Sequence, residues 1–202
     1  MIKGKHHIVF DEIKYDRNEL ELFTSQFLDC IVSYNDYCDR ILGGRNFDYF
    51  DGYNIMDTSL LEGKHAIEYP IIKELVSKFN VTNELTFKEV TLMHFDVGFS
   101  FPIHTDHAMK AGIMFPITPE DSGEPIVFYN YDKVQPATDY SHLTEDDIDY
   151  SYTYSNKHPS LFNAQVPHGV PPVKSARLYL KIMLFEDTFE SIDKRFINDY
   201  TK

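Results

Sequence analysis

Two cysteines, no tryptophan and no apolar run long enough to cross a membrane mark what this 202-residue sequence lacks. Cys30 and Cys38 are too few for a disulfide framework and show no zinc-binding spacing. Reduced thiols of an intracellular protein are the expectation. The first residues, Met1-Ile-Lys-Gly-Lys-His-His7, contain no apolar signal core, and nothing approaches the roughly 18 consecutive apolar residues of a membrane span. A cytoplasmic protein with no membrane partner is expected. The missing tryptophan carries no functional message.

Positive charge is scarce too. Lys and Arg number 19 against 32 Asp and Glu, a formal net charge of −13, and no basic cluster interrupts the deficit. No nucleic acid is expected as a main partner, because a phosphate backbone requires a basic surface, and anionic membranes are disfavoured likewise. What is abundant is apolar: 43% hydrophobic and 15% aromatic residues suit a packed globule rather than a disordered chain. The length suits one domain over 1–202.

Periodicity divides that domain into a helical support region (1–84), a strand-rich core (85–187) and a C-terminal tail (188–202). Ile8 to Tyr15 reads as a short strand. Asp16-Arg-Asn-Glu19 reads as a capping box, with Leu20, Phe23, Phe27, Leu28 and Ile31 at helical spacing and the helix ending between Cys38 and Gly43. Residues 43–66, with Gly43, Gly44 and Gly52, read as an irregular loop. Pro70 opens a second helix whose stripe is Ile67, Ile71, Leu75, Val76 and Phe79, stopping at Asn80. From Leu85 the period falls to two. Leu85–His94, Lys110–Ile117, Pro125–Tyr131, Leu161–Val166 and Ala176–Phe185 read as strands, the last being the strongest. The acidic, Tyr-rich stretch 132–157 reads as a long loop, a candidate lid selecting a cationic or neutral substrate. Thr188–Lys202 reads as a short outer helix. Helices followed by many short strands predict an α+β fold with a jelly-roll core and the N-terminal helices packed on one sheet.

Chemistry concentrates in the second half. On an extended strand, residues two apart share a face, so His104 and Asp106 reach one metal together. His168, far downstream, supplies a third ligand once the intervening strands fold back. Two imidazoles and a carboxylate on one side of a metal leave positions open on the other, the arrangement of a non-haem Fe(II) oxygenase. Arg177 lies on an apolar-rich strand, and its guanidinium can clamp a carboxylate with two parallel bonds. A second His-x-Asp, His94-Phe-Asp96, runs into the Asp96-Val97-Gly98 turn, which marks Asp96 as a turn residue.

These residues resemble the 2-oxoglutarate and Fe(II)-dependent oxygenases, whose pattern is His-x-Asp, a distal His and an Arg or Lys about ten residues later. Gly98-Phe-Ser-Phe-Pro-Ile-His104-Thr-Asp106 is similar to the turn leading into the family's first ligands. Pro159-Ser-Leu-Phe-Asn-Ala-Gln-Val-Pro-His168-Gly-Val170 is similar to its distal-His strand, especially in short prolyl-hydroxylase-like proteins of phages and marine microbes. The resemblance covers roughly residues 85–187. It implies a double-stranded β-helix (jelly-roll) core, Fe(II) on His104, Asp106 and His168, and 2-oxoglutarate on Arg177. It further implies hydroxylation of an amino-acid or peptidyl side chain with O2 as co-substrate, and a host cytoplasm if the chain is viral.

Strand alternation puts Arg177, Tyr179 and Lys181 on one face and Leu178, Leu180 and Ile182 on the other. Many relatives carry Ser or Thr where Tyr179 stands, so the co-substrate pocket is reshaped here. His94 falls where the family often has a cavity-lining side chain. Pro171 and Pro172 force the chain out of the sheet after His168, in a hairpin that sets Arg177 alongside it. His107 follows the first ligand pair and faces away from His104 and Asp106 only if the strand stays regular, while His6, His7, His65, His142 and His158 have no mutual spacing and read as surface or structural. Two other functions fit the same residues: an inactive jelly-roll binding or structural module, virion-associated included, and a cupin-type metalloenzyme without 2-oxoglutarate.

Overall fold

The computed structural model describes residues 2–3, 6–36, 39, 53–56, 69–79, 87–106, 109–119, 125–130, 140, 142–153, 157–185 and 188–192. The chain opens with strands β1 (Ile2–Lys3) and β2 (His7–Val9), helix α1 (Arg17–Ser25), a 3-10 turn (Leu28–Cys30) and β3 (Ile31–Ser33). β4 (Tyr53–Met56), helix α2 (Pro70–Ser77) and β5 (Phe87–Phe95) follow. Then come β6 (Phe101–His104), β7 (Ala111–Thr118), β8 (Pro125–Tyr129), β9 (Ile148–Thr153), β10 (Ser160–Asn163), β11 (His168–Val170) and β12 (Arg177–Leu184).

Two antiparallel sheets result. The larger has the order β1-β2-β10-β7-β12-β5-β4-β3, the smaller β6-β11-β8-β9. Alternation along the larger sheet sorts its side chains between two apolar clusters. Val90 and Leu92 of β5, Ile113, Phe115 and Ile117 of β7, and Leu180, Ile182 and Leu184 of β12 join Leu20 and Phe23 of α1 and Ile71, Ile72 and Leu75 of α2 on the outer face. Phe10, Phe79 and Phe115 interlock there edge-on, with ring centres 5.1 and 5.5 Å apart. Met93, Phe95, Met114, Phe162 and Tyr179 face the other way and meet Ile126, Phe128, Tyr152 and Val170 of the smaller sheet. The helices therefore cover one face of the larger sheet, and the second cluster fills the space between the sheets.

Local chemistry sets the helix bounds. The Asp16 carboxylate accepts the Glu19 amide at 3.0 Å, capping α1. The hydroxyls of Thr24 and Ser25 donate back to carbonyls of the preceding turn, and the helix stops there. Pro70 occupies the first turn of α2, and Ile71, Ile72 and Leu75 form its buried stripe.

Three expectations change. The first helix does not run on to Cys38: β-branched Ile31 and Val32 pair with Met56 and Ile55, so β3 and β4 replace helix and loop. The stretch 132–157 is not all loop, because Ile148–Thr153 pairs along β8 and completes the smaller sheet. β10 ends at Asn163 rather than continuing to Pro167; a turn intervenes, and His168 begins a strand of the other sheet. Leu85, Ile67, Asn80, Tyr131, Cys38, Gly43, Gly44, Gly52, His65 and most of the predicted C-terminal helix lie outside the described residues.

His6 and His7 are buried, and His7 is completely so. Its ring stacks on Tyr152 at 3.6 Å, and neither ring nitrogen has a hydrogen-bond partner among the described residues. Burial pushes its pKa down from 6.5 to about 3. Between those values the unfolded chain binds a proton that folded His7 refuses, so stability falls as pH falls through that window. His7→Phe, which keeps the stacking, should remove up to about 1.4 kcal/mol of this loss per pH unit. Urea unfolding of both proteins at pH 6 and pH 4.5 measures it; parallel pH dependences would contradict it.

Candidate metal centre

β6 and β11 are neighbours, and their register sets His104 directly opposite His168. The ring centres lie 4.4 Å apart with a tilt of 49°. Beyond His104 the strand stops, and the chain is pinned to the turn that precedes β11. The Asp106 amide donates to the Ala164 carbonyl at 3.0 Å. The Gln165 side-chain amide donates to the carbonyls of Asp106 and Met109, both at 2.7 Å. The Asp106 carboxylate thereby stands beside both rings, Oδ1 4.0 Å from His104 Nε2 and Oδ2 3.7 Å from His168 Nε2. One ligand atom from each of the three residues lies within 4.8 Å of the other two.

The hydrogen bonds fix the tautomers. His104 Nδ1 is 2.8 Å from the Pro102 carbonyl, and His168 Nδ1 is 2.8 Å from that of Val166. A carbonyl only accepts, so each Nδ1–H donates and each Nε2 keeps a bare lone pair toward Asp106. This is the orientation that metal-bound histidines receive from an outer partner. Burial, reinforced by His168, holds His104 down at about 3 against the pull of Asp106. Burial lowers His168 as well. Both imidazoles are neutral, as ligation requires.

The surroundings are aromatic. Phe101 stacks on His104 at 4.3 Å, and Phe162 meets His168 edge-on at 5.6 Å. Close approach of the strands depends on Gly169. A Cβ there would stand 3.0 Å from the Phe101 carbonyl oxygen and 3.4 Å from the Ile103 nitrogen, both backbone atoms. The turn feeding β6 depends on Gly98, whose φ of 89° suits glycine alone without strain. Its amide donates to the Val173 carbonyl at 2.7 Å.

Arg177 and Tyr179 share the inward face of β12, and Arg177 is 1% exposed. Arg177 does not lie in a hairpin beside His168: β11 and β12 belong to different sheets, and Arg177 stands opposite Phe95 of β5. Burial raises the Tyr179 hydroxyl well above its ordinary range, opposed by Arg177 and assisted by Asp106, so it stays protonated. His94 is not brought to this cluster. It stands opposite Leu178 on the outward face, with Nδ1 3.5 Å from Asp96 Oδ1. Lys181, read from strand alternation as sharing that face and assigned no role, is 7% exposed inside the same space.

No protein-family model matches the sequence, and no curated protein is significantly similar to it. Solved structures are. AviO1 from Streptomyces viridochromogenes Tue57 aligns at 11% identity over 90% of either chain, with a TM-score of 0.55. The non-haem alpha-ketoglutarate-dependent epimerase SnoN from nogalamycin biosynthesis aligns at 9% identity over 89% of this chain and 77% of its own, with a TM-score of 0.53. A Pseudomonas putida prolyl-4-hydroxylase aligns at 14% identity over 91% and 94%, with a TM-score of 0.49. The chain shares the fold of AviO1 and SnoN.

Gly169→Ala should separate His104 from His168 and weaken Mn(II) or Zn(II) binding by about tenfold, since such sites tolerate only about 0.5 Å of displacement. Calorimetric titration of the variant measures this; an affinity equal to that of the wild type would refute the role given to the glycine.

Proposed function

We propose that this protein is an Fe(II)- and 2-oxoglutarate-dependent dioxygenase that hydroxylates an amino-acid or peptidyl side chain, and that its two sheets are the halves of a double-stranded β-helix. The observation that carries this reading is the triad: His104 and His168 offer bare Nε2 atoms and Asp106 a carboxylate, all within 4.8 Å. Two nitrogens and one oxygen on one side suit Fe(II) and leave room opposite. With 2-oxoglutarate and O2, a bound Fe(II) would supply oxidation of a C–H bond to C–OH, coupled to conversion of the co-substrate to succinate and CO2.

The chain's own residues do the rest. Asp106 offsets part of the metal's charge. The Pro102 and Val166 carbonyls hold the two rings in one orientation. Arg177, buried between the sheets, would take the far carboxylate of 2-oxoglutarate. The protonated Tyr179 hydroxyl can donate to that same carboxylate, in the place of the shorter Ser or Thr. Phe101, Phe128 and Phe162 keep water from the reacting region.

Anaerobic protein given Fe(II) should gain a visible charge-transfer absorption when 2-oxoglutarate is added, and should release succinate on exposure to air. His168→Ala should lose the absorption. Arg177→Ala should weaken 2-oxoglutarate binding by about 3 kcal/mol, as for removal of one partner of a buried charged pair. Wild-type protein that shows neither absorption nor succinate overturns this function.

A further inference from the structure

Residues 164–167 join β10 to β11, and both metal-binding segments are registered on them. The Ala164 carbonyl accepts the Asp106 amide at 3.0 Å, and the Ala164 amide donates to the Lys110 carbonyl at 3.2 Å. The Val166 carbonyl holds His168 through Nδ1 at 2.8 Å. Between them stands Gln165, whose side-chain nitrogen donates to the carbonyls of Asp106 and Met109, both at 2.7 Å. A carbonyl only accepts, so the amide must present its nitrogen there, one proton to each bond. Gln165 is exposed, and a long side chain in water keeps its rotamer freedom unless such bonds remove it.

A second amide sets the turn that carries Gln165. The Gln165 backbone N–H donates to Asn163 Oδ1 at 3.0 Å, and Asn163 Nδ2 donates to Glu190 Oε1 at 3.4 Å. Neither end of that amide can be exchanged: the backbone N–H needs an acceptor, and the carboxylate needs a donor. Asn163 is 8% exposed and has the parity of Leu161, on the outward face of β10. Glu190 reaches it from the turn that starts at Thr188, whose Phe189 and Ile192 are buried in the outer cluster. Hydrogen bonds thus run from the Glu190 carboxylate through Asn163 and Gln165 to the carbonyl of the metal-binding aspartate. The path begins on the core side of the larger sheet and ends beside the triad.

We propose that Gln165 is a positioning residue of the metal centre, oriented by Asn163 and Glu190, so that the turn at residues 188–192 helps to set the place of Asp106. This rests on the triad holding a divalent cation, as in the dioxygenase reading, and adds a residue that is not a ligand. His104 and His168 stand on paired strands, whereas Asp106 lies beyond the end of β6, where no ladder fixes it. The two Gln165 bonds supply that constraint. A metal site tolerates displacement of a ligand by only about 0.5 Å.

Calorimetry of the full chain with Mn(II) tests this, with Co(II) absorption reporting ligand geometry and urea unfolding reporting the fold. Gln165→Met keeps the length and loses both donors; it should weaken Mn(II) by about tenfold and alter the Co(II) absorption. Asn163→Asp keeps the acceptor for the Gln165 amide but sets a second carboxylate against Glu190. Its added negative charge would by itself tighten Mn(II), so the severalfold loss expected reports displacement of Asp106. Adding Glu190→Gln, which can donate to that carboxylate, should restore the wild-type affinity. Gln165→Met protein with wild-type Mn(II) affinity and Co(II) absorption overturns the proposal, even if its urea midpoint falls. Asn163→Asp protein that binds Mn(II) as tightly as the wild type, or that Glu190→Gln does not rescue, overturns the part given to Glu190. Should Gln165→Met not fold, Gln165→Asn decides, because its shorter amide cannot span both carbonyls: weaker Mn(II) binding supports the role and unchanged binding overturns it. Wild-type protein that binds no Mn(II) sinks the metal-centre reading instead.

Discussion

The pairing of His104 with His168 across β6 and β11 is the contact on which the rest of the site depends. Two imidazoles with ring centres 4.4 Å apart, walled by phenylalanines and facing a carboxylate, are costly for a protein to assemble. Burial keeps both rings uncharged, and their outer nitrogens are tied to backbone carbonyls, which fixes the direction each ring faces. The arrangement persists because it is held by main chain: a strand register, a glycine that admits close approach, and a glutamine amide bridging two carbonyls of the neighbouring segment. A divalent cation would recover much of that cost by uniting the bare nitrogens with the carboxylate.

The larger sheet divides stability from chemistry by the parity of its residues. Leu178, Leu180, Ile182 and Leu184 of β12 pack under the helices, in a wholly apolar cluster. Arg177, Tyr179 and Lys181 alternate with them and face the triad's side. A strand in the middle of a sheet, paired on both edges, cannot slip by one residue without exchanging the two sets. The register that secures the core therefore also aims the cations. The same rule explains why the inward face tolerates buried polar groups such as Ser160 and His7: the outer face supplies the apolar burial that offsets them.

How much of this was legible follows from which signals are local. β12 could be read because its alternation contrasts Leu and Ile with Arg, Tyr and Lys. The triad could be read because His-x-Asp is an i, i+2 pair and the distal histidine sits between prolines. His94 could not be placed: in Val90-Thr-Leu-Met-His-Phe95 both faces are largely apolar, so parity has no contrast, and only pairing with Leu178 assigns the face. β9 was hidden by its polarity, since Tyr152 is its one buried side chain and its strand character comes from β8. β3 was hidden by helical spacing at Leu28 and Ile31 that tertiary pairing overrides. The sheet to which His168 belongs was not legible either, because the four residues between β10 and β11 look in sequence like a continuing strand.

Net charge and site charge point in opposite directions, and the dielectric decides which one a ligand senses. The chain carries −13, a field that repels small anions at a distance but is screened within about 8 Å at physiological salt. Arg177 and Lys181 are 1% and 7% exposed, in an interior where water and counter-ions hardly dilute their charge. The far-reaching field of the whole chain and the local field of these two side chains are therefore separate quantities, and substitutions on the acidic surface change the first and leave the second. At a distance the net charge of −13 attracts cations and repels anions, and added salt weakens both effects.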